Sequence, residues 1–396
     1  MKTNRVRRRK RVTGAIFLAV LLLPLWMWLG WVLTPKKKLV VAIVDKTVTT
    51  RKVQEHISLD WVLRHEKYTK TRDALYQPDR DYFGFFPGKE DRFELRGLER
   101  FSPAKLAGLS EDADLVYFTD TYGVYSNEWY SKKLLTERSS LVYGGMTMQD
   151  VDLLSDMKAR HKLMIAEFNA IGSPTAEPVR GAFEKMFGMH WTGWTGRFFS
   201  DLDTNSNKEL PHWLVNNYKA QHEGVWPFRR SGLVFVSSSD RVEILEEGAS
   251  MEDPVPAIVS TARGRELLHV PEEIRYPFWF DIVDPGANEV AAEFVAKVNG
   301  RGRSELRRYG IPERWPAVLM HRGEDYGFYY FSGDFCDNPI RDWTAHFMGV
   351  HYFSRLFYSS GDPAERAGFF WRFYRPMMTT ILRDRYRSIH GSMLRR

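Results

Sequence analysis

The feature that most constrains the fold is an alternation of apolar strands and amphipathic helices in the middle of the chain. Three apolar runs have the length and composition of buried strands: 113–120, 139–145 and 162–169. Two helical patterns alternate with them, one beginning at Thr147 and the other ending at Gly188, residue types that favour a helix N-cap and a helix end. This order predicts an α/β fold with a flavodoxin-like parallel sheet covered by helices on both faces.

The second half of the chain has a different pattern. Short apolar runs between 232 and 270 predict strands of a mixed β insertion, and the spacing of Val290, Phe294 and Val298 predicts a helix over 288–298. The sequence thus divides into predicted segments: a cytoplasmic basic tail (1–13), a transmembrane anchor (14–33), an α/β core (39–200), a mixed α/β part completing or inserted in that core (201–339) and a helical, basic, aromatic segment (340–396).

The predicted anchor is a run of twenty residues, 14–33, without a charge. At about 1.5 Å per residue a helix of this length crosses the ~30 Å hydrocarbon core of a bilayer. Seven basic residues precede the run and three follow it, which favours a cytoplasmic N-terminus and an extracytoplasmic main domain on a single-pass membrane protein. The alternative is a cleaved signal peptide, which the lack of a small-residue cleavage site disfavours.

The charge of the chain bears on its partners. The net charge of +7 comes from 57 basic and 50 acidic residues, and ten basic residues but no acid precede residue 39. The remainder therefore has 47 basic against 50 acidic groups, which gives no reason to expect nucleic acid as a partner. The basic aromatic segment 362–396 either contacts a membrane surface or packs on the acidic body.

Cofactor and metal motifs are missing from the sequence. Cys336 is the one cysteine, so neither an intramolecular disulfide nor a thiolate metal cluster can form. No HExxH, GxSxG, Walker or GxGxxG pattern is present, and we predict no cofactor and no metal. The turn GDFCDN (333–338) could hold a hard cation through Asp334 and Asp337, although a turn whose side chains cap the backbone is the commoner structure.

Residues 113–194 resemble the class I glutamine amidotransferase-like superfamily, in particular its trehalose-utilisation and β-galactosidase-associated branches. The resemblance rests on ADLVYFTD, the strand ending at Gly144-Gly145, the helix after it and KLMIAEFN with its tight turn; GFYYFSGDF (327–335) matches a late strand of such domains. It implies a flavodoxin-like sheet with a crevice at its strand ends. Catalytic members have a nucleophilic Cys where this chain has Glu167-Phe168-Asn169, so glutaminase chemistry is not implied.

Polar residues at the predicted strand ends are the candidate catalytic groups. Asp120 ends one strand, and Glu167 and Asn169 end another. Two carboxyl groups on neighbouring strands can divide acid and base roles, because proximity and burial separate their pKa values. The alternative is that these acids cap helices or accept hydrogen bonds from loops.

The candidate ligand-binding residues are mostly aromatic. Trp191 and Trp194 lie in HWTGWTGR (190–197), predicted as a loop that presents flat surfaces to sugar rings, and Arg197 could bind a carboxylate or hydroxyl. Tyr122 and Asp334 are further candidates. The alternative for both Trp side chains is packing against the sheet.

Two functions follow from these features. In the first, a membrane-anchored extracytoplasmic domain binds or acts on a cell-surface glycan or exopolysaccharide, and as an enzyme it would be a carboxylate-dependent hydrolase. In the second, the protein is a non-catalytic subunit of a membrane complex for polysaccharide synthesis or secretion. The expected partners are therefore a membrane, a glycan and a protein of such a complex.

Overall fold

The structure is a computed structural model that describes residues 19–131, 137–359 and 361–391. The strands, in chain order, are β1 (Lys37–Lys38), β2 (Val41–Asp45), β3 (Tyr68–Thr69), β4 (Phe83–Pro87), β5 (Phe93–Leu95), β6 (Leu115–Asp120), β7 (Val124–Tyr125), β8 (Leu141–Tyr143), β9 (Leu163–Glu167), β10 (His190–Phe199), β11 (Gly232–Ser237), β12 (Val242–Glu246), β13 (Met251–Ser260), β14 (Glu273–Arg275), β15 (Trp279–Asp284), β16 (Glu289–Val298), β17 (Arg314–Arg322) and β18 (Gly327–Phe331). The α-helices are α1 (Leu23–Leu33), α2 (Ile57–His65), α3 (Pro103–Asp112), α4 (Met148–Ala159), α5 (Glu177–Phe187), α6 (His212–Gln221), α7 (Ala262–Leu268), α8 (Gly300–Tyr309), α9 (Ala367–Phe369) and α10 (Arg375–Gly391).

Within the described residues, ten strands form one mixed sheet in the order β14-β13-β16-β17-β18-β9-β6-β2-β4-β5. The block β18-β9-β6-β2-β4 is parallel, and antiparallel strands continue the sheet on both sides. The predicted flavodoxin-like parallel sheet is therefore wrong as a description of the whole sheet. The physical reason is the β17–β18 hairpin, which turns the chain back and lets β16 and β13 extend the same hydrogen-bonded sheet.

The predicted transmembrane helix is contradicted as well. Residues 14–18 and the predicted basic tail 1–13 lie outside the described residues, and α1 covers eleven residues. No helix in the described part of the chain combines the length and the apolar character needed to cross a membrane. The prediction of a single-pass membrane protein, with a cytoplasmic N-terminus and an extracytoplasmic main domain, depended on that helix and is therefore contradicted too.

α1 makes specific contacts with the folded body. The indole Nε1 of Trp31 donates a hydrogen bond to the backbone carbonyl of Arg64 (3.1 Å), and the ammonium group of Lys67 donates to the carbonyl of Trp31 (3.0 Å). The backbone N–H of Met348 donates to the carbonyl of Met27 (3.0 Å). Hydrogen bonds thus connect the middle of α1, at Met27, and its C-terminal part, at Trp31, to residues distant in sequence.

Some local predictions were right and others were wrong. The helix that begins after Thr147 is confirmed, with a capping box between Thr147 and Asp150. Residues 288–298, predicted as a helix, form β16, and residues 190–197, predicted as a loop, lie in β10. The predicted strand 139–145 exists as β8, but it pairs with β7 in a separate two-stranded ribbon.

A second sheet covers part of the first. It is antiparallel, in the order β12-β11-β10-β15. Apolar clusters fill the space on both faces of the large sheet, and Trp61 and Trp315 are among the largest completely buried side chains. The described part of the C-terminal segment packs into this core through Phe370 and Tyr374, which corresponds to the packed alternative of the sequence analysis.

Candidate active site

Carboxyl groups meet where the parallel strands end. Asp45 ends β2 and Asp120 ends β6, and these two residues are direct partners in the register of the two strands. The loop after β18 adds Asp334 and Asp337, and Glu55 lies just before α2. We call Asp45, Glu55, Asp120, Asp334 and Asp337 the acidic edge.

Burial and mutual repulsion change the proton affinity of this edge. Burial is the main cause that raises the pKa of Asp120 well above its usual value, and the charge of Asp45 adds to it. Burial, followed by the charge of Asp337, likewise raises the pKa of Asp334. Burial and the charge of Asp45 raise the pKa of Glu55. The acidic edge therefore contains several carboxyl groups whose proton affinity is raised by burial and by neighbouring acids, the electrostatic condition found at many catalytic sites.

A buried imidazole compensates one of the carboxylates. His56 Nδ1 lies 2.6 Å from Asp45 Oδ2, and His56 Nε2 lies 2.9 Å from the carbonyl of Pro78 and 3.4 Å from Asp60 Oδ2. Burial alone would lower the pKa of His56, but the hydrogen bond and charge of Asp45 outweigh it and raise that pKa to about 9. His56 is therefore a cation at neutral pH and forms an ion pair with Asp45.

Asp337 is compensated by an arginine and an amide. Gln54 Nε2 donates a hydrogen bond to Asp337 Oδ1 (2.8 Å). Arg366 Nη1 lies 3.4 Å from the other carboxyl oxygen, Asp337 Oδ2, and donates a hydrogen bond to the backbone carbonyl of Asp337 (2.9 Å). The guanidinium of Arg366 lies over the ring of Phe278, 3.6 Å from its centroid. By contrast, no hydrogen bond joins the side chain of Asp334 to any residue that the structure describes.

Glu167 lies in the core beneath the acidic edge. Its side chain is fully buried, and its two oxygens accept hydrogen bonds from the Tyr117 hydroxyl (2.9 Å) and the backbone N–H of Cys336 (3.2 Å). The Tyr374 hydroxyl lies 3.2 Å from Cys336 Sγ. Burial and the charge of Asp334 raise the pKa of Glu167 well above its usual value. Glu167 thus joins β9 to β6 and to the loop after β18, and Tyr374 of the C-terminal segment contacts the same loop.

Asn169 occupies the sharp turn after β9. Its φ of +65° lies in the left-handed region, which asparagine tolerates better than most residues. Its backbone N–H donates a hydrogen bond to Asp281 Oδ2 (3.4 Å). The same oxygen accepts a hydrogen bond from the Tyr330 hydroxyl (2.9 Å), and the other carboxyl oxygen, Oδ1, accepts one from the Thr195 hydroxyl (3.0 Å). Burial raises the pKa of Asp281 to about 6, and these hydrogen bonds limit the rise.

The two tryptophans of residues 190–197 lie in the core. Trp191 is 6% and Trp194 9% exposed, and they belong to apolar clusters on opposite faces of the large sheet. The reason is the two-residue period of β10, with a bulge at Gly193 between them. Neither ring has a free face for a sugar, which corresponds to the packed alternative of the sequence analysis.

The other predicted ligand-binding residues lie at or near the acidic edge. Tyr122 is 37% exposed and its backbone N–H donates to Asp120 Oδ1 (2.7 Å). Arg197 reaches the same region, since its guanidinium lies 5.3 Å from the ring centroids of both Phe278 and Trp279. Of the eight predicted site residues, those that the structure brings to this edge are therefore Asp120, Tyr122, Arg197 and Asp334.

A metal centre finds no support among the described residues. In that part of the chain, no group of three or more His, Cys, Asp or Glu side chains is arranged to hold a metal ion. Asp334 and Asp337 thus share an edge without forming the cation site considered from the sequence. The cation beside Asp337 is the guanidinium of Arg366.

Sequence reasoning missed several polar residues of this region. They are Glu55, His56, Asp60, Asp281 and Arg366. A local signal existed for Asp281, an acid within the apolar run YPFWFDIV. No local signal marked His56 or Arg366, because their partners are set by the topology.

Comparisons with known proteins give weak similarity. No family model and no curated protein sequence matches the chain. Similar solved structures include a β-galactosidase from Bacillus circulans sp. alkalophilus (10% identity, TM-score 0.32, covering 77% of this chain and 30% of that one). They also include ThuA-like proteins from Parabacteroides merdae (9%, 0.35, 76% and 79%) and Bacteroides uniformis (9%, 0.34, 76% and 83%). All three TM-scores are below 0.5, so these similarities do not establish a shared fold.

Proposed function

We propose that the acidic edge binds a carbohydrate and cleaves a glycosidic bond by acid–base chemistry, within an amidotransferase-like domain that lacks the nucleophilic cysteine. The observation that carries this proposal is the pair Asp334 and Asp337. Burial and the charge of Asp337 raise the pKa of Asp334 well above its usual value, whereas Asp337 is paired with Arg366. A carboxylic acid beside a carboxylate can protonate the leaving oxygen while its partner activates water or attacks the sugar.

Aromatic side chains beside these acids support a carbohydrate as the ligand. Phe278 and Trp279 are half-buried, and Tyr122 is partly exposed. Aromatic rings offer flat apolar surfaces to the faces of sugar rings, while carboxyl groups accept hydrogen bonds from sugar hydroxyls. In this proposal Asp334 is the general acid, Asp337 the carboxylate partner and Asp120 a hydroxyl-binding group.

The second candidate is carbohydrate binding without catalysis, as in a non-catalytic subunit of a polysaccharide-handling assembly. Two observations favour it. Asn169 stands at the turn where the resemblance would place a nucleophile, and both oxygens of Glu167 already have buried partners.

Incubation of the purified protein with a panel of neutral and acidic oligosaccharides separates the two candidates. Release of new reducing ends, with products identified by mass spectrometry, would support the hydrolase. Asp334→Asn should then lower the rate by about 10²–10⁴-fold, the usual contribution of a general acid. The control is Asp325→Asn, since Asp325 is 60% exposed at the β17–β18 turn, at the opposite end of β18.

The outcomes of this experiment are distinct. Full activity in Asp334→Asn, with thermal unfolding unchanged, would refute the role of Asp334. Binding of a glycan without any cleavage would favour the second candidate. Neither binding nor cleavage would refute both.

A further inference from the structure

Arg197 is a guanidinium without an adequate acceptor. Its Nε is buried and has no hydrogen-bond partner among the described residues, and its side chain as a whole is 21% exposed. Its ion pair is with Glu209, at 3.6 Å, and the Glu209 side chain is 83% exposed. Such an exposed contact contributes little, because water screens the charge of Glu209.

Aromatic rings surround Arg197. Its guanidinium lies 4.7 Å from the ring centroid of Phe199 and 5.3 Å from those of Phe278 and Trp279. Burial is the main cause that lowers the pKa of Arg197. A buried guanidinium is costly unless hydrogen-bond acceptors surround it, and aromatic faces supply none in the plane of its N–H groups.

Two other cations beside the acidic edge are already paired, since His56 forms an ion pair with Asp45 and Arg366 forms one with Asp337. The charges of Asp334 and Asp337 also favour the Arg197 cation, but the buried Nε of Arg197 donates a hydrogen bond to neither of them. Arg197 therefore carries a buried hydrogen-bond donor that the described residues leave without an acceptor.

We propose that Arg197 binds a carboxylate carried by the ligand, and that the ligand of the acidic edge is a uronic-acid-containing oligosaccharide. This inference rests on the proposed function. An arginine presents its N–H groups in a planar fork that matches the two oxygens of a carboxylate. Because Trp279 lies beside the same guanidinium, a sugar ring on this tryptophan would bring its own carboxylate to Arg197.

Isothermal titration calorimetry with matched ligands tests the inference. The ligands are a trigalacturonate, the uncharged trisaccharide of galactose and a sulfated galactose trisaccharide. We expect the wild type to bind the trigalacturonate about ten- to a hundredfold more tightly than the neutral sugar, the range for a hydrogen-bonded charge. Arg197→Gln should remove that preference, so that the acidic and neutral sugars bind the variant with similar affinity.

The control is Arg314→Gln, which removes an arginine whose side chain is 51% exposed and paired with Glu293 on the surface. This variant should keep the preference for the uronate. Equal affinity of the wild type for the acidic and neutral sugars, or a preference that survives in Arg197→Gln, would overturn the inference while leaving the proposed function intact. Tighter binding of the sulfated sugar than of the uronate would overturn the carboxylate assignment. Binding of none of the three would overturn both.

Discussion

His56 supplies a buried positive charge beside the carboxyl group of Asp45. Its ring contacts three elements of the structure, since it lies against Asp45 at the end of β2, Pro78 in a loop and Asp60 on α2. Because the side chains of His56 and Asp45 are both fully buried, water cannot replace either partner. Loss of one charge would therefore leave the other unpaired in the core.

This pairing predicts a pH-dependent contribution to stability. The pKa of His56 is about 9 in the folded protein and about 6.5 in an unfolded chain. A group whose pKa is higher in the folded protein than in the unfolded chain stabilises the fold while it is protonated. The stabilisation from His56 is therefore complete below about pH 6.5 and is lost as the pH rises through about 9. The free energy of unfolding should therefore exceed that of His56→Gln by about 3 kcal/mol near pH 6, and this gap should shrink above pH 9.

Urea denaturation of the wild type and His56→Gln at pH 6, 7.5 and 9.5 measures this gap. Using the variant as reference cancels the contributions of titrating groups that do not contact His56, such as Asp281, whose pKa is raised to about 6. A gap that stays constant over this range would show that His56 does not carry the charge assigned to it.

At the scale of residues, the sequence predicted what is visible locally. Asp120 and Asp334 were found because each is an acid beside an apolar run. His56 was not found, because its role depends on the end of a neighbouring strand and on a distant loop. Arg366 pairs with Asp337 from 29 residues away, and no spacing rule connects them.

At the scale of elements, the helix predicted over 288–298 is wrong because its spacing fits two structures. Val290, Phe294 and Val298 are four residues apart, a spacing that places side chains on one face of a helix and equally on one face of a strand. Pairing with β13 and β17 stabilises the strand β16, whose residues from Ala292 to Val298 alternate between buried and half-buried positions after a bulge. Helix α4 was predicted correctly because its capping box is local.

The burial of Trp194 in β10 predicts a large effect on stability. Trp194→Ala removes a large core side chain and should lower the free energy of unfolding by about 3–5 kcal/mol. The control is Trp343→Ala, at a tryptophan that is 55% exposed, where a loss within about 1 kcal/mol is expected. Chemical denaturation of both variants gives the comparison. Equal, small losses would mean that Trp194 belongs to an exposed loop, as the sequence had indicated.

At the scale of the whole molecule, the sequence predicted β6 and β9 of the parallel block and missed the sheet around them. The apolar runs that form β6 and β9 are continuous and buried on both faces, so their pattern is unambiguous. The antiparallel strands of the second half of the chain, by contrast, join this block through β18, and only the pairing of β18 with β9 reveals that the two halves share one sheet. Composition could not predict that pairing.

The apolar N-terminal run shows the limit of hydropathy alone. Its length and flanking charges predicted a membrane-spanning helix, but hydropathy does not distinguish a lipid partner from a protein partner. In the structure, α1 is bonded to the body through Trp31 and Met27, and no helix of the described ranges meets the length and hydropathy of a membrane span. The contacts of the run therefore could not be read from its sequence.

The most direct test of the account is the pH dependence of glycan cleavage, measured as kcat/KM for the wild type and Asp334→Asn. Because burial raises the pKa of Asp334 well above its usual value, its acid form persists to higher pH than that of an ordinary aspartate, and wild-type activity should fall once the pH is raised past that pKa. Asp334→Asn should lose most of the activity, and any remainder should lack this alkaline fall. Wild-type activity that rises steadily with pH through neutrality, or an alkaline fall that persists in Asp334→Asn, would contradict the assignment of Asp334 as the general acid.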